Sequence, residues 1–157
     1  NLLLNEADLY IKLDKMDKFG ELMQEAVEMD PTNPTLFYNL GVVNAKQGKI
    51  EDAKKYYKKA IELKADYTDA YMNLAAAILS KDEAIVEEMN KNLSNNSKYE
   101  KLEAQQKEVY REALPILEKA DSLNRSIETV RTLLNIYENL ENETKASEFR
   151  TLYKAMK

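Results

Sequence analysis

The sequence predicts an all-α fold built from antiparallel helix pairs. The 157 residues include only three Gly and three Pro, while 44% are hydrophobic and 32% are charged. A chain so poor in turn-forming residues is expected to be helical, and its length is enough for one domain with a sizeable core. Apolar residues also recur at helical spacing along most of the chain, which indicates the same fold class.

Residues 34–67 contain the clearest helix pair in the sequence. They carry two apolar stripes of helical period, the first with Phe37, Leu40 and Gly41 and the second with Ala53, Tyr57 and Ala60. Between the stripes stands Gly48, which can adopt a positive φ just past the first helix. The stretch therefore predicts two antiparallel helices joined by a short turn.

This stretch closely resembles a tetratricopeptide (TPR) repeat, which is a 34-residue helix pair. The Leu–Gly pair, the turn glycine and the small–aromatic–small set of the second helix all stand in one frame that starts at Pro34. The resemblance, of the bacterial type, implies a right-handed α-solenoid of antiparallel helix pairs. It divides a single domain of residues 1–157 into four repeats, at 1–33, 34–67, 68–126 and 127–157.

The third repeat is longer than the others and contains an insertion at about residues 81–108. Apolar residues at helical spacing continue on both sides of a turn-forming cluster at residues 92–97. Both helices of this repeat are therefore expected to be extended into a protruding long helical hairpin of about 20 Å, at 1.5 Å of rise per residue. Pro115 lies inside the second long helix and is expected to kink it.

Composition argues against several classes of function. The net charge of −5 disfavours a nucleic-acid partner, and the lysine-rich run at residues 54–59 is interpreted as a solvated helix face. No apolar run approaches membrane-spanning length, so no direct membrane insertion is expected. The chain has neither Cys nor His, and it shows no glycine-rich phosphate loop. We therefore expect no enzyme activity, no metal site and no cofactor.

The resemblance implies that the first helices of successive repeats line a concave groove. The residues that it assigns to this groove are Asn5, Asp8, Lys12, Thr35, Tyr38, Asn39, Val42, Lys46, Asp69, Met72, Asn73, Ala76, Arg131 and Asn135. The middle of the groove is apolar and the end in the fourth repeat is polar. Such a surface suits an amphipathic helix or an extended peptide. The expected function is a non-catalytic scaffold that binds a protein or peptide partner.

Asparagine recurs at a spacing of 34 residues, at Asn5, Asn39 and Asn73. This position resembles part of the TPR carboxylate clamp, in which the amide holds a peptide backbone or a terminal carboxylate. The clamp also needs a lysine and an asparagine in its first repeat, but the first two repeats have other residues there: Leu4, Asp8, Tyr38 and Val42. The pattern therefore favours generic polar contacts over a clamp.

The hairpin offers a second surface, formed by Ile85, Met89, Tyr99 and Leu102. These residues either hold the two arms together or leave an apolar stripe that recruits another helix or a second copy of the chain. The alternative function is accordingly a self-assembly module that forms a homodimer through the hairpin or the solenoid ends. Resemblance to bacterial envelope proteins favours an exported or periplasmic location over a cytoplasmic one, and the identity of the partner stays open.

Overall fold

The computed structural model describes residues 9–10, 13 and 15–157. Eight helices, labelled here in chain order, form most of this part of the chain, and no strand occurs in it. They are α1 Met16–Met29, α2 Pro34–Lys46, α3 Ile50–Leu63, α4 Thr68–Leu79, α5 Asp82–Lys91, α6 Asn96–Leu123, α7 Ile127–Asn139 and α8 Glu143–Ala155. The predicted all-α class is confirmed.

Local sequence explains where several helices begin. Proline occupies the first turn of α2, where a missing N–H costs nothing, and the Asn33 side chain accepts a hydrogen bond from the Thr35 amide at 3.1 Å. At the start of α7, Ser126 and Thr129 form a reciprocal capping box. At the starts of α6 and α8, the side chains of Asn95 and Asn142 each accept one hydrogen bond from a backbone N–H three residues further on. Side chains thus satisfy backbone donors that helix starts leave open.

In the part of the chain that the structure describes, two helices are followed by a residue with a left-handed backbone conformation, and only one of these two residues is glycine. Gly48, just past α2, has φ of +74°, as the turn requires. Glu141 follows α7 at the corresponding point and has φ of +58°. A residue with a Cβ is strained in this region, so Glu141 stands where the repeat pattern would favour glycine.

Contacts among the helices divide the chain into two compact units, with the boundary between Ala77 and Ile78, inside α4. In the first unit α1 packs against α2, and α2 packs against α3. Its buried core joins Phe19 and Met23 of α1 to Leu40 and Val43 of α2. Ala53, Tyr57 and Ala60 of α3 are also buried, which agrees with their pattern in the sequence.

The second unit is built by successive packing of α5 on α6, α6 on α7 and α7 on α8. Its buried side chains include Leu117 of α6, Leu133, Ile136 and Tyr137 of α7, and Phe149 of α8. The rings of Tyr137 and Phe149 lie 5.2 Å apart between their centroids. A hydrogen bond from the Tyr137 hydroxyl to the Glu118 carboxylate links α7 to α6.

The hairpin differs from the expectation in one arm. The first helix of the third repeat is not extended: α4 ends at Leu79, residues 80 and 81 form a turn, and a separate helix α5 starts at Asp82. Aspartate is favourable in a first helical turn because its charge complements the helix dipole, and here its carboxylate also accepts two partly buried hydrogen bonds from α6. The second arm is one continuous helix of 28 residues, with Pro115 inside it.

Candidate functional site

Three tyrosines of the first unit come together where α2, α3 and the start of α4 meet. The centroid of the Tyr38 ring lies 6.0 Å from that of Tyr57 and 5.1 Å from that of Tyr67, and both pairs are tilted. Tyr57 is 2% exposed, whereas Tyr38 and Tyr67 are half-buried. This tyrosine cluster, Tyr38, Tyr57 and Tyr67, therefore has one ring inside the core and two rings that reach the surface.

Polar side chains lie beside the two surface rings. The Asn73 amide of α4 donates a hydrogen bond to the Tyr38 hydroxyl at 3.0 Å. The Thr35 side chain lies close to the Tyr67 hydroxyl, where it lowers the pKa of Tyr67 against the larger effect of burial. The bond from Asn73 connects α4 to α2 and fixes the orientation of the Tyr38 ring, against which the Tyr67 ring packs.

The phenols of the cluster are neutral over the whole physiological range. Burial raises the pKa of Tyr57 to about 12, and burial also raises the pKa of Tyr38 and of Tyr67. The Asp69 carboxylate raises the pKa of both Tyr38 and Tyr67 further, because a negative charge nearby disfavours a phenolate. The charge of Asp69 therefore influences both surface phenols, although the Asp69 side chain itself is exposed to solvent.

Helices α2 and α3 come into close contact next to the tyrosine cluster, at Gly41 and Tyr57. Gly41 is buried in α2, and a Cβ added there would lie 2.5 Å from Cδ1 and from Cε1 of the Tyr57 ring. Only glycine leaves room for this ring. The Leu–Gly pair in the sequence thus has a physical reason: the glycine admits Tyr57, and Tyr57 in turn supports Tyr38.

The structure describes eleven of the predicted groove residues. Thr35, Lys46, Asp69 and Ala76 are exposed, while Tyr38, Asn39, Val42, Met72 and Asn73 are half-buried; all nine lie in the first unit. Arg131 and Asn135 are exposed on α7 in the second unit. Asn5, Asp8 and Lys12 lie outside the described residues.

The two recurring asparagines that can be described both have partners within the protein. Asn73 bonds to Tyr38, as above, and the Asn39 amide donates to the Met23 sulfur of α1 at 3.8 Å. Each amide joins the first helix of one predicted repeat to an element of the preceding one. Their recurrence in the sequence therefore has a structural role that does not need a ligand.

The hairpin residues are largely covered within the second unit. Met89 is 8% exposed, and Ile85, Tyr99 and Leu102 are half-buried. The large apolar residues left open on this hairpin are Val86 and, next to the turn between α5 and α6, Leu93, which is 67% exposed. Most of the apolar stripe is thus not available to another molecule.

A buried polar triad joins the two arms of the hairpin, and sequence reasoning missed it. The Asp82 carboxylate accepts from the Gln106 amide at 2.7 Å and from the Tyr110 hydroxyl at 3.0 Å, and the amide also donates to that hydroxyl at 3.1 Å. Burial, then the bond to Asp82, raises the pKa of Tyr110. A glutamine inside an apolar stripe, four residues before a tyrosine, was the available signal.

Sequence reasoning also missed Tyr67 as a member of the candidate site. It ends the second predicted repeat, and no helical stripe contains it, because it stands one residue before α4. Its closeness to Tyr38 depends on how α2 and α4 pack, which a periodic pattern does not report. Aromatic character at a helix start was the only signal.

Two other kinds of functional feature, a metal site and a membrane-spanning helix, are not found in the part of the chain that the structure describes. No group of three or more acidic side chains there has the geometry to hold a metal ion. None of the helices α1–α8 is both long and apolar enough to cross a membrane.

Comparison with known proteins gives the same repeat. A family model for the tetratricopeptide repeat matches residues 34–67, and a second tetratricopeptide model matches residues 1–33. Residues 1–67 therefore match two consecutive tetratricopeptide repeats, as the motifs in this part of the sequence predict.

Relatives resemble the chain over limited lengths. The Sol locus transcriptional repressor of Clostridium acetobutylicum is 32% identical over 74 residues, which are 47% of this chain and 23% of that protein. The chain spans between 6% and 23% of the length of the curated relatives it matches.

Solved structures share the fold. A crystal structure from Bacteroides ovatus has a TM-score of 0.75 at 21% identity and covers 90% of this chain and 73% of its own. The first TPR domain of Spaghetti, bound to the HSP90 peptide SRMEEVD, has a TM-score of 0.63 at 20% identity and covers 89% and 94%. At this identity the likeness concerns the fold alone.

Proposed function

We propose that the protein is a non-catalytic scaffold that binds a protein or peptide partner on the face formed by α2 and α4 of the first unit. The observation that supports this most is the tyrosine cluster, in which two half-buried rings pack against each other at a partly apolar surface and Asn73 holds one of them by a hydrogen bond. Val42 and Met72 extend this surface as half-buried apolar residues. The peptide bound by the TPR domain of Spaghetti supports the same kind of partner.

The chemistry of the face suits a peptide. Aromatic residues contribute most to binding where they are rigid and lie near the centre of an interface. Tyr38 is held by the bond from Asn73, and Tyr67 packs against the Tyr38 ring, so little side-chain entropy is lost when a partner covers them. Thr35, Lys46 and Asp69 then supply a polar rim.

The test is selection of binders from a random dodecapeptide phage library, followed by affinity measurement on synthetic copies. We expect peptides that bind the wild type and lose at least about tenfold in affinity on Tyr38→Glu, because a charge would replace a central aromatic contact. Tyr153→Glu is the matched control, since Tyr153 is a half-buried tyrosine on α8 of the second unit. Circular dichroism checks that both variants stay helical.

The outcome against the proposal is equally specific. If no enriched peptide is weakened by Tyr38→Glu while both variants remain folded, the tyrosine face is not the binding surface. Binding that is lost equally in Tyr153→Glu would also contradict it.

A second candidate is self-association through the hairpin, and the exposed Leu93 and Val86 favour it. Light scattering across a concentration series tests this directly. A dimer that Leu93→Asp dissociates would support assembly, whereas a monomer at every concentration would exclude it. Leu93 is 67% exposed, so its substitution leaves the packing of the hairpin unchanged.

A further inference from the structure

The face proposed for peptide binding carries opposite charges at its two ends. At one end the exposed carboxylate of Asp69 lies close enough to Tyr38 and Tyr67 to interact electrostatically with both phenols. A cation already lies on one of these rings, since Lys64 Nζ is 5.0 Å from the centroid of Tyr67. A carboxylate beside tyrosine rings is a suitable environment for a further lysine or arginine side chain.

The other end carries the opposite charge. Lys46 is the last residue of α2 and is exposed. It follows Val42 by four residues and Tyr38 by eight, so the three lie within about a quarter turn of one another on the helix. An ammonium at this point attracts a carboxylate of the ligand.

The helices fix the distance between these two charges. Tyr67 lies close to Thr35, and Asn73, six residues later, bonds to Tyr38, so the two sides of the face run in the same direction. Asp69 therefore lies level with the first turn of α2, ten to twelve residues before Lys46, which corresponds to about 15–18 Å at 1.5 Å per residue. An extended peptide spans this length in about four to five residues.

We infer that the partner segment is an extended peptide carrying one cationic and one acidic side chain about four to five residues apart, with the cation at Asp69 and the carboxylate at Lys46. This inference rests on the proposed function, because it names the ligand chemistry of the same face. Val42 and Met72, half-buried between the two ends, then contact the intervening residues of the peptide.

The charges select the ligand, and this can be tested by exchanging them. The probes are the synthetic peptide that the wild type selects from the dodecapeptide library and its charge-reversed analogue, in which basic and acidic residues are exchanged. The variant is the double substitution Asp69→Lys with Lys46→Glu. Both side chains are exposed, so the variant keeps the packing of the first unit.

We expect the wild type to select peptides with the stated pair of charges and to prefer the selected peptide over its analogue. The double variant should reverse this preference, whichever direction the peptide backbone runs. Each single neutralisation, Asp69→Asn or Lys46→Gln, should weaken binding of the selected peptide about two- to fivefold, as expected for exposed charge pairs. Added salt should weaken the wild-type complex in the same range.

The two levels of the proposal fail differently. Peptides that depend on Tyr38 but lack the charge pair, or a double variant that keeps the wild-type preference, would overturn this inference and leave the proposed function in place. The absence of any peptide that depends on Tyr38 would overturn the proposed function, and this inference with it.

Discussion

Replacement of Gly41 by alanine should destabilise the first unit, although alanine is the better helix former. Gly41 lies in the interior of α2, where alanine is worth about 1 kcal/mol more than glycine. The new methyl group would, however, stand 2.5 Å from two carbons of the Tyr57 ring. This ring is 2% exposed and cannot move aside without shifting its own neighbours.

The balance of these two effects gives the magnitude. Forcing an extra carbon into a well-packed core costs about 1–3 kcal/mol, and a contact of 2.5 Å with a buried ring belongs at the upper part of that range. After the gain in helix propensity is subtracted, the free energy of unfolding should fall by about 1–2 kcal/mol. Urea denaturation followed by circular dichroism measures this value.

Gly20 provides a matched control. It also lies in a helix interior, in α1, but a Cβ there would be 3.3 Å from Cγ1 of Val43, a contact that a small shift relieves. Gly20→Ala should therefore be neutral or stabilising. Tyr57→Leu removes the clashing ring carbons, so Gly41→Ala should cost less in that background than in the wild type. If Gly41→Ala raises stability, or if its cost is unchanged by Tyr57→Leu, the clash is not the reason for the glycine.

Three further predictions follow from described residues. Gly48→Ala should lower the free energy of unfolding by about 1 kcal/mol, because alanine is strained at the positive φ of this position. Glu141→Gly should raise the thermal midpoint, because it relieves the same strain. If both substitutions changed stability in the same direction, φ would not be the reason. Tyr57 ionises near pH 10 when unfolded but only at about 12 when folded, so its contribution is complete below pH 10 and is lost as the pH rises from 10 to 12. The urea midpoint should therefore fall less steeply in this window for Tyr57→Phe, and identical slopes would refute the assignment. Asp82→Ala should leave the buried Gln106 side chain and Tyr110 hydroxyl without their carboxylate acceptor, at a cost of about 1–3 kcal/mol. The backbone amides of α5 should then exchange with deuterium faster, whereas Glu83→Ala should leave their exchange unchanged.

The fold class and the repeat type of residues 1–67 could be predicted from the sequence because both depend on local patterns. Helical period, a turn glycine and a small residue opposite an aromatic one are visible in any single repeat, and the structure explains each of them physically. The Gly41–Tyr57 contact is the clearest case, since each residue makes sense only with the other. The terminal boundaries of the repeats remain predictions.

The parts that could not be predicted depend on contacts between distant residues. The break at residues 80 and 81 directly precedes Asp82, which bonds to Gln106 and Tyr110, 24 and 28 positions further along the chain. Apolar residues continue at helical spacing on both sides of this break, and the sequence therefore predicted one long helix. The position of Tyr67 beside Tyr38 likewise depends on packing and not on period. Tyr38 and Asn73 stand among the predicted groove residues, whereas the place of Tyr67 beside Tyr38 needed the structure.

The polar triad at Asp82 has a consequence for how this protein can change over evolutionary time. The triad closes the hairpin near the start of α5, and the far end is closed by its own turn, where the Asn92 amide bonds to the Glu88 carbonyl at 2.7 Å. The stretch between these two closures can gain or lose whole helical turns in both arms without altering the triad. Residues 93–94, between Asn92 and the capping Asn95, are accordingly a natural position for grafting a foreign sequence, such as an epitope or a fluorescent label.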